Sequence, residues 1–179
     1  MPDKIIKVGI TGPESTGKST LAEQLGNYYG AVWVPEYARE YLAGLTRSYT
    51  QADVEKIAEG QLARMNKAIE QAPKLIFFDT ELTVLKIWLK NAYGTLPTWL
   101  EPAIYQQNID LYLLMDIDLP WEPDPQREHP HLRQFFYDWY QRELQEHSFN
   151  FVTISGSYTD RFEAARQQID KLLIQNKVT

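Results

Sequence analysis

The chain has 179 residues, is 44% apolar and 13% aromatic, and carries a formal net charge of −6. That length and apolar content belong to a globular chain able to bury a core, which excludes a disordered or fibrous one. The acidic balance gives no overall pull toward nucleic acid or an anionic membrane and favours a small-molecule substrate, while the lack of cysteine excludes disulfides and thiolate metal sites and fits the cytoplasm.

An apolar run at residues 5–10 predicts the first strand. No signal peptide precedes it, and no apolar run in the chain reaches membrane-spanning length. GPESTGKS at residues 12–19 follows at once and fits G-x-x-x-x-G-K-[ST]. A helix is then predicted over Lys18–Tyr29, with Leu21 and Leu25 on one face and Gly30 ending it. In this strand–loop–helix context the motif has a mechanism. Gly12 and Gly17 let the backbone turn tightly, so that the N–H groups of Gly12, Pro13, Glu14, Ser15, Thr16 and Gly17, where present, converge on a phosphate (Pro13 has none). Lys18 reaches the β- and γ-phosphates, the Ser19 hydroxyl ligates Mg²⁺, and Thr20 enters the helix. The alternative, a glycine turn that binds nothing, accounts for neither the spacing nor the flanks.

Residues 31–34 form a short apolar strand stopped by Pro35. PEYAREY follows, with helical spacing over residues 36–45. Thr50 to Asp53 has the form of a capping box, and the helix it opens carries Val54, Ile57, Ala58, Leu62, Met65 and Ile69 on one stripe. Residues 74–78 predict a buried strand ending at Asp79. Helices at about residues 81–93 and 99–107 precede a fourth strand, Leu111–Met115. Residues 119–131 hold four prolines and many charges, which excludes a helix and predicts a mobile loop. An amphipathic helix from Leu132, a fifth strand at 149–154 and a last helix capped at residues 157–160 complete the chain. There is no repeat, low-complexity tract or linker, so residues 1–179 are expected to form one domain with a lid-like loop at about 117–131.

Strands alternating with helices predict an α/β fold, a five-stranded parallel sheet covered on both faces. Right-handed crossovers gather the C-terminal strand ends on one edge, where ligands bind. Asp79 closes a run of four apolar residues, the Walker B pattern, and is expected to hold Mg²⁺ rather than merely end a strand. Glu36, Tyr37 and Arg39 face an acceptor at that edge. Glu36 can take a hydroxyl proton, and Arg39 can hold an anionic group, against the alternative of a solvated helix start. Arg127 in the proline-rich loop is expected to stabilise the transferring phosphoryl group, with Arg133 a weaker candidate because it lies toward the next helix. His129 and His131 read as solvated loop residues rather than a metal pair. Trp121 either stacks on an aromatic ring of a ligand or anchors the loop.

Together these residues resemble the nicotinamide-riboside kinase domain at the C-terminal end of the bifunctional bacterial regulator of NAD synthesis, within the P-loop AAA-type NTPase and kinase proteins. The likeness rests on GPESTGKST at residues 12–20, EYAREY at 36–41, FFDTEL with Asp79 and Glu81, Pro120-Trp121, the D-x-x-R of Asp124 and Arg127, and SYTDRF at 157–162. It is collinear and nearly chain-long. The resemblance implies a nucleoside- and nucleotide-kinase-like sheet with the P-loop strand central. It implies transfer of phosphate from ATP, with Mg²⁺, to the 5′-hydroxyl of nicotinamide riboside, giving nicotinamide mononucleotide. It assigns catalysis to Lys18, Glu36, Asp79 and Arg127, and acceptor binding to Glu36, Tyr37, Arg39, Glu81 and Trp121. The family's preceding adenylyltransferase domain and any DNA-binding segment have no counterpart here, so neither NAD formation nor repression is expected. The family also has a tryptophan just before the matching glutamate, where this chain has Pro35, and Trp33 stands two residues earlier. Another nucleoside or small hydroxyl compound as acceptor, and an ATPase or nucleotide switch, stay open as alternatives, as does the oligomeric state.

Overall fold

The computed structural model of the protein describes residues 4–177. Its elements run β1 (Ile6–Thr11), α1 (Lys18–Tyr29), β2 (Val32–Val34), α2 (Tyr37–Ala43), α3 (Gln51–Ile69), β3 (Leu75–Asp79), α4 (Leu82–Tyr93), α5 (Leu100–Gln106), β4 (Leu111–Met115), α6 (Arg133–Glu146), β5 (Phe151–Ile154) and α7 (Tyr158–Lys177). The five strands form one all-parallel sheet in the order β2-β3-β1-β4-β5, with the P-loop strand central, as the family likeness implies.

Alternation along the strands divides the core into layers, because successive side chains point to opposite faces. Val8, Ile10, Phe77, Leu113 and Met115 pack against α1 and α7 through Leu21, Leu25, Ala165 and Ile169. The other face carries Ile76 and Phe78 against Met65 of α3, and Tyr112 and Leu114 against Ile87 of α4 and Phe136 and Tyr140 of α6. Both faces are therefore buried, and β3 and β4 read as continuous apolar runs for that reason.

The capping box expected at residues 50–53 and the helix cap expected at residues 157–160 both form. Thr50 and Asp53 satisfy each other's backbone N–H groups at the start of α3, and Ser157 and Asp160 do the same at α7. The fifth strand begins at Phe151, later than expected. Phe149 is taken up in ending α6: its N–H donates to the Leu144 carbonyl, and its ring stacks on Tyr112 at 5.1 Å. No helix among the described residues is long and apolar enough to cross a membrane.

Candidate active site

The P-loop leaves the C-terminal end of β1 and wraps to the start of α1. Gly12 has φ +132°, and a Cβ there would lie 3.0 Å from the Met115 carbonyl of β4, so the loop's entry needs glycine. Gly17, at φ 78°, caps α1 without a side-chain acceptor, which leaves the first-turn N–H groups directed at the loop's interior. Thr16 Oγ1 donates to the Pro13 carbonyl at 2.8 Å and staples the loop. The Lys18 ammonium donates to the carbonyls of Gly12 at 2.9 Å and Pro13 at 2.7 Å, which holds it inside the loop's curve.

β3 brings Asp79 beside Ile10 of β1, and Ser19 on α1 reaches it: Ser19 Oγ donates to Asp79 Oδ2 at 2.6 Å. Asp79 is only 2% exposed, and its Oδ1 is buried without a hydrogen-bond partner. A hydroxyl beside a carboxylate with one free buried oxygen suits Mg²⁺, which binds few protein ligands and completes its shell with water and phosphate. Among the described residues no cluster of three or more His, Asp or Glu side chains forms a protein-only metal cage. The structure thus brings into contact Ser19 and Asp79, the two residues that the sequence reading assigns to the metal.

A cavity of about 450 Å³ opens above this edge, large enough for small-molecule ligands. Its walls include the whole P-loop, Lys18, Ser19 and Thr20, together with Glu36, Arg39 and Arg127. Apolar and aromatic side chains continue the lining: Leu42 on α2 and Leu45 after it, Trp88 on α4, Phe136 and Tyr140 on α6, and Tyr49. Glu36 begins α2 but makes no side-chain cap there, so its carboxylate is free for the cavity. Burial pushes the Glu36 carboxyl above the usual carboxylate range, and the nearby Asp79 charge adds to this, while Lys18 opposes it. Burial also raises Asp79 and lowers Lys18 from their ordinary values. Three ionisable groups thus lie close together at this edge, where each is sensitive to a ligand's charge.

The 119–131 segment closes over the P-loop through several contacts. Its backbone N–H groups at Glu128 and His129 donate to Glu14 Oε2 at 3.2 and 3.1 Å, and the Glu122 N–H donates to Ser15 Oγ at 2.8 Å. Arg127 reaches Ser15 Oγ at 3.4 Å and also donates to the Glu122 carbonyl. Arg133, on the first turn of α6, donates to the carbonyls of Ser15 at 3.2 Å and Leu119 at 2.9 Å. The arginine read as the weaker candidate therefore fastens the base of this segment to the P-loop.

Other expected residues lie elsewhere. Tyr37 turns its ring onto Gly60 of α3 and beneath the Arg64 guanidinium, 4.8 Å from the ring centre, instead of lining the cavity. Glu81 is fully buried below the edge and caps α4 by accepting from the Thr83 N–H at 2.7 Å. Trp121 lies against the Arg133 guanidinium at 5.9 Å and anchors the loop. Trp33 packs on Gly26 of α1, on the other face of the sheet, so it does not take the place of the tryptophan missing at Pro35. Arg39, by contrast, lines the cavity as expected and is also engaged by Asp124 at 3.0 Å. His129 is more than a solvated loop residue: its ring packs 5.1 Å from Phe136, and it lines the cavity. Sequence reasoning missed Glu14 as a holder of the lid, and Tyr49 and Trp88 as cavity walls. Trp88 sits on an amphipathic stripe that reads as core. Tyr49 directly precedes a capping box, and its hydroxyl, pushed up to about 12 by burial and by Glu128, carries no sequence signature.

The chain is 30% identical over 162 residues to the trifunctional NAD biosynthesis/regulator protein NadR of Salmonella typhimurium, an alignment covering 87% of this chain and 40% of that protein. The chain thus spans less than half the length of this curated relative. A solved NadR protein in complex with NR superposes with a TM-score of 0.77 at 23% identity, over 93% of this chain and 51% of the other. The same comparison with NadR holding NAD and AMP-PNP gives 0.74 at 24% identity, over 93% and 49%. Deoxyadenosine kinase from M. mycoides with bound dATP gives 0.58 at 18% identity, over 92% of this chain and 100% of that one. The fold is therefore the P-loop fold that nucleoside kinases use. Residues 7–161 match the AAA domain family, and over that span, most of its length, the chain belongs to it.

Proposed function

We propose that the chain is an ATP-dependent small-molecule kinase that phosphorylates the 5′-hydroxyl of nicotinamide riboside to give nicotinamide mononucleotide. The observation that carries the kinase reading is that one cavity joins the P-loop to a half-buried, uncapped Glu36 and an apolar-aromatic wall. A nucleotide switch needs the first of these but has no use for the other two. The choice of nicotinamide riboside is supported by the sequence resemblance and by the solved relative that holds NR. Pro35 favours a second reading, in which another nucleoside is the acceptor, because the aromatic group expected before Glu36 is absent and Trp33 faces away.

In this reading Glu36 accepts the acceptor's hydroxyl proton as its oxygen attacks the γ-phosphorus, and ADP leaves. Lys18 and Arg127 offset the charge on the transferring group, and the closed 119–131 segment keeps water out. Mg²⁺, held by Ser19 and Asp79, would neutralise phosphate charge and orient the triphosphate. Arg39 steadies the lid through Asp124 rather than binding the acceptor. The reading includes one kinase domain, a cytoplasmic location and no nucleic-acid or membrane partner.

The test is ADP release with ATP, Mg²⁺ and either nicotinamide riboside, a panel of nucleosides, or water alone. Stimulation by nicotinamide riboside well above every other acceptor supports the full proposal. Preference for another nucleoside leaves the kinase and moves the acceptor. Equal rates with and without acceptors overturn the kinase reading.

A further inference from the structure

The two carboxylates at the sheet edge stand on separate elements, and one buried side chain ties those elements together. Gln61 lies in the middle of α3 and is 1% exposed. Its carboxamide oxygen accepts from the Tyr37 N–H at 2.8 Å, and its Nε2 donates to the Thr80 carbonyl at 3.2 Å. Tyr37 is the residue after Glu36, and Thr80 is the residue after Asp79. The amide therefore bridges the start of α2 to the end of β3, one residue from each carboxylate. It does not line the cavity.

Both bonded groups need this partner. The Tyr37 N–H is the first of the orphan donors at a helix N-terminus, and Glu36 supplies no side-chain cap for that turn. Thr80 has φ +73°, a left-handed backbone that a β-branched residue adopts only when its surroundings impose it. Its N–H donates to the Ile10 carbonyl at 3.2 Å, so β1 holds one side of the turn and Gln61 the other. Gly60, the neighbour of Gln61, permits the approach. A Cβ at Gly60 would lie 2.0 Å from the Tyr37 ring, so a side chain there would push α2 off α3 and draw the Tyr37 N–H out of reach.

We propose that Gln61 is a positioning residue that sets the placement of Glu36 relative to Asp79, with Gly60 providing the close contact it requires. The inference rests on the kinase reading for the role of Glu36, and on the Ser19–Asp79 pair alone for its metal arm. A side chain with no atom in the cavity then controls how the acceptor-facing carboxylate lines up with the metal-facing one. Groups that orient metal ligands in this way change metal affinity or activity about 10- to 100-fold when removed.

The test uses Gln61→Met, which keeps the length and loses both bonds, and Gln61→Glu at a pH high enough to ionise it, which keeps an acceptor for the Tyr37 N–H and loses the donor to Thr80. Folding is checked first by thermal melting. In folded Gln61→Met, kcat with the acceptor falls 10- to 100-fold, KM for ATP stays within about threefold, and the Mg²⁺ concentration that half-saturates ATP binding rises at least threefold. Ionised Gln61→Glu shifts that Mg²⁺ midpoint at least as much as Gln61→Met does, because both lose the bond beside Asp79. The Mg²⁺ titration requires no acceptor, so it reads Gln61 even if no nucleoside is phosphorylated and the kinase reading has failed. If Gln61→Met does not fold, Gln61→Glu alone carries both measurements. A folded variant with wild-type kcat and an unmoved Mg²⁺ midpoint overturns the proposal, as does a loss confined to melting temperature.

Discussion

Arg39 on α2 pairs with Asp124 of the 119–131 segment at 3.0 Å, and the Arg39 carbonyl accepts from Gln126 Nε2 at 3.2 Å. The helix that carries Glu36 past the cavity is thus joined to the loop that covers the P-loop. The Arg39 side chain is half exposed, so the pair contributes no more than the 0–1 kcal/mol usual for such contacts. It cannot hold the loop by itself. Glu14 and Ser15 make the other closing bonds, and they draw on the P-loop.

Asp124→Asn is therefore expected to leave the melting temperature nearly unchanged while shifting the open and closed populations by a factor of roughly five or less, the equivalent of about 1 kcal/mol. Glu14→Ala removes an acceptor for two backbone N–H groups and is expected to loosen closure more. The measurement is the ratio of ATP hydrolysed to acceptor phosphorylated, which rises as water gains entry. The ordering Glu14→Ala above Asp124→Asn above wild type is the expected result. The same ratio in all three would separate these contacts from lid closure.

Arg127→Ala is expected to slow phosphoryl transfer more than it weakens ATP binding. Arg127 lies near Ser15 Oγ and lines the cavity, where it can meet the charge that grows in transfer. Single-turnover rates and equilibrium ATP binding separate the two effects. Equal losses would make the arginine a plain ligand contact.

Lys18→Ala is expected to abolish turnover and leave the fold intact. Burial already lowers the lysine from its ordinary value, so the charged form costs stability in the folded chain. That cost sets in as pH falls below the ordinary lysine value of 10.5 and is complete below the folded value, so the variant's gain in stability over wild type develops across that window and then levels off. Turnover within about tenfold of wild type, only 1.36 kcal/mol of barrier, would remove Lys18 from the chemistry.

Asp79→Asn is expected to lose Mg²⁺-dependent activity with little loss of stability, since the Ser19 hydroxyl can still donate to the amide oxygen. A titration of activity with Mg²⁺ and Mn²⁺ should show a raised requirement. An unchanged metal dependence would refute the pairing of Ser19 and Asp79 as metal ligands.

The elements of the fold were readable because each follows a local rule. Period-two and period-3.6 apolar patterns, Gly30 after α1 and the Thr50–Asp53 box all act within a few residues. The P-loop and Asp79 were readable because their chemistry sits in contiguous segments. The fate of Tyr37, Glu81 and Trp121 was not, since each is polar or aromatic near the edge, and only packing decides whether it turns toward the cavity. Tyr37 turns away because Gly60 offers its ring a flat surface, and Glu81 because the α4 N-terminus needs a cap. Partners 85 and 114 residues apart, as for Arg39 with Asp124 and Glu14 with Glu128, leave no trace in local spacing.

Glu36 offers the sharpest separation between a catalytic and a structural role. Burial raises its carboxyl above the ordinary range, and Asp79 adds to the shift. If it is the base, turnover should fall as pH drops through that raised value, giving an acid limb above where free carboxylates titrate. Glu36→Gln should remove that limb and cut acceptor phosphorylation by roughly 10²- to 10⁴-fold, with ATP affinity nearly unchanged. Stability moves the other way. A carboxyl raised in the folded state supports folding fully only below its unfolded value, and that support is lost as pH rises through the folded one. At neutral pH Glu36→Gln should therefore melt no lower than wild type, and any excess stability should vanish toward pH 4. A glutamate kept only for its charge at the start of α2 would do the reverse: its loss would lower the melting temperature by the equivalent of about 1 kcal/mol at most and leave turnover alone. Turnover, ATP binding and melting of the one variant across pH therefore decide between the two, and normal turnover would transfer the proton-accepting role to Asp79.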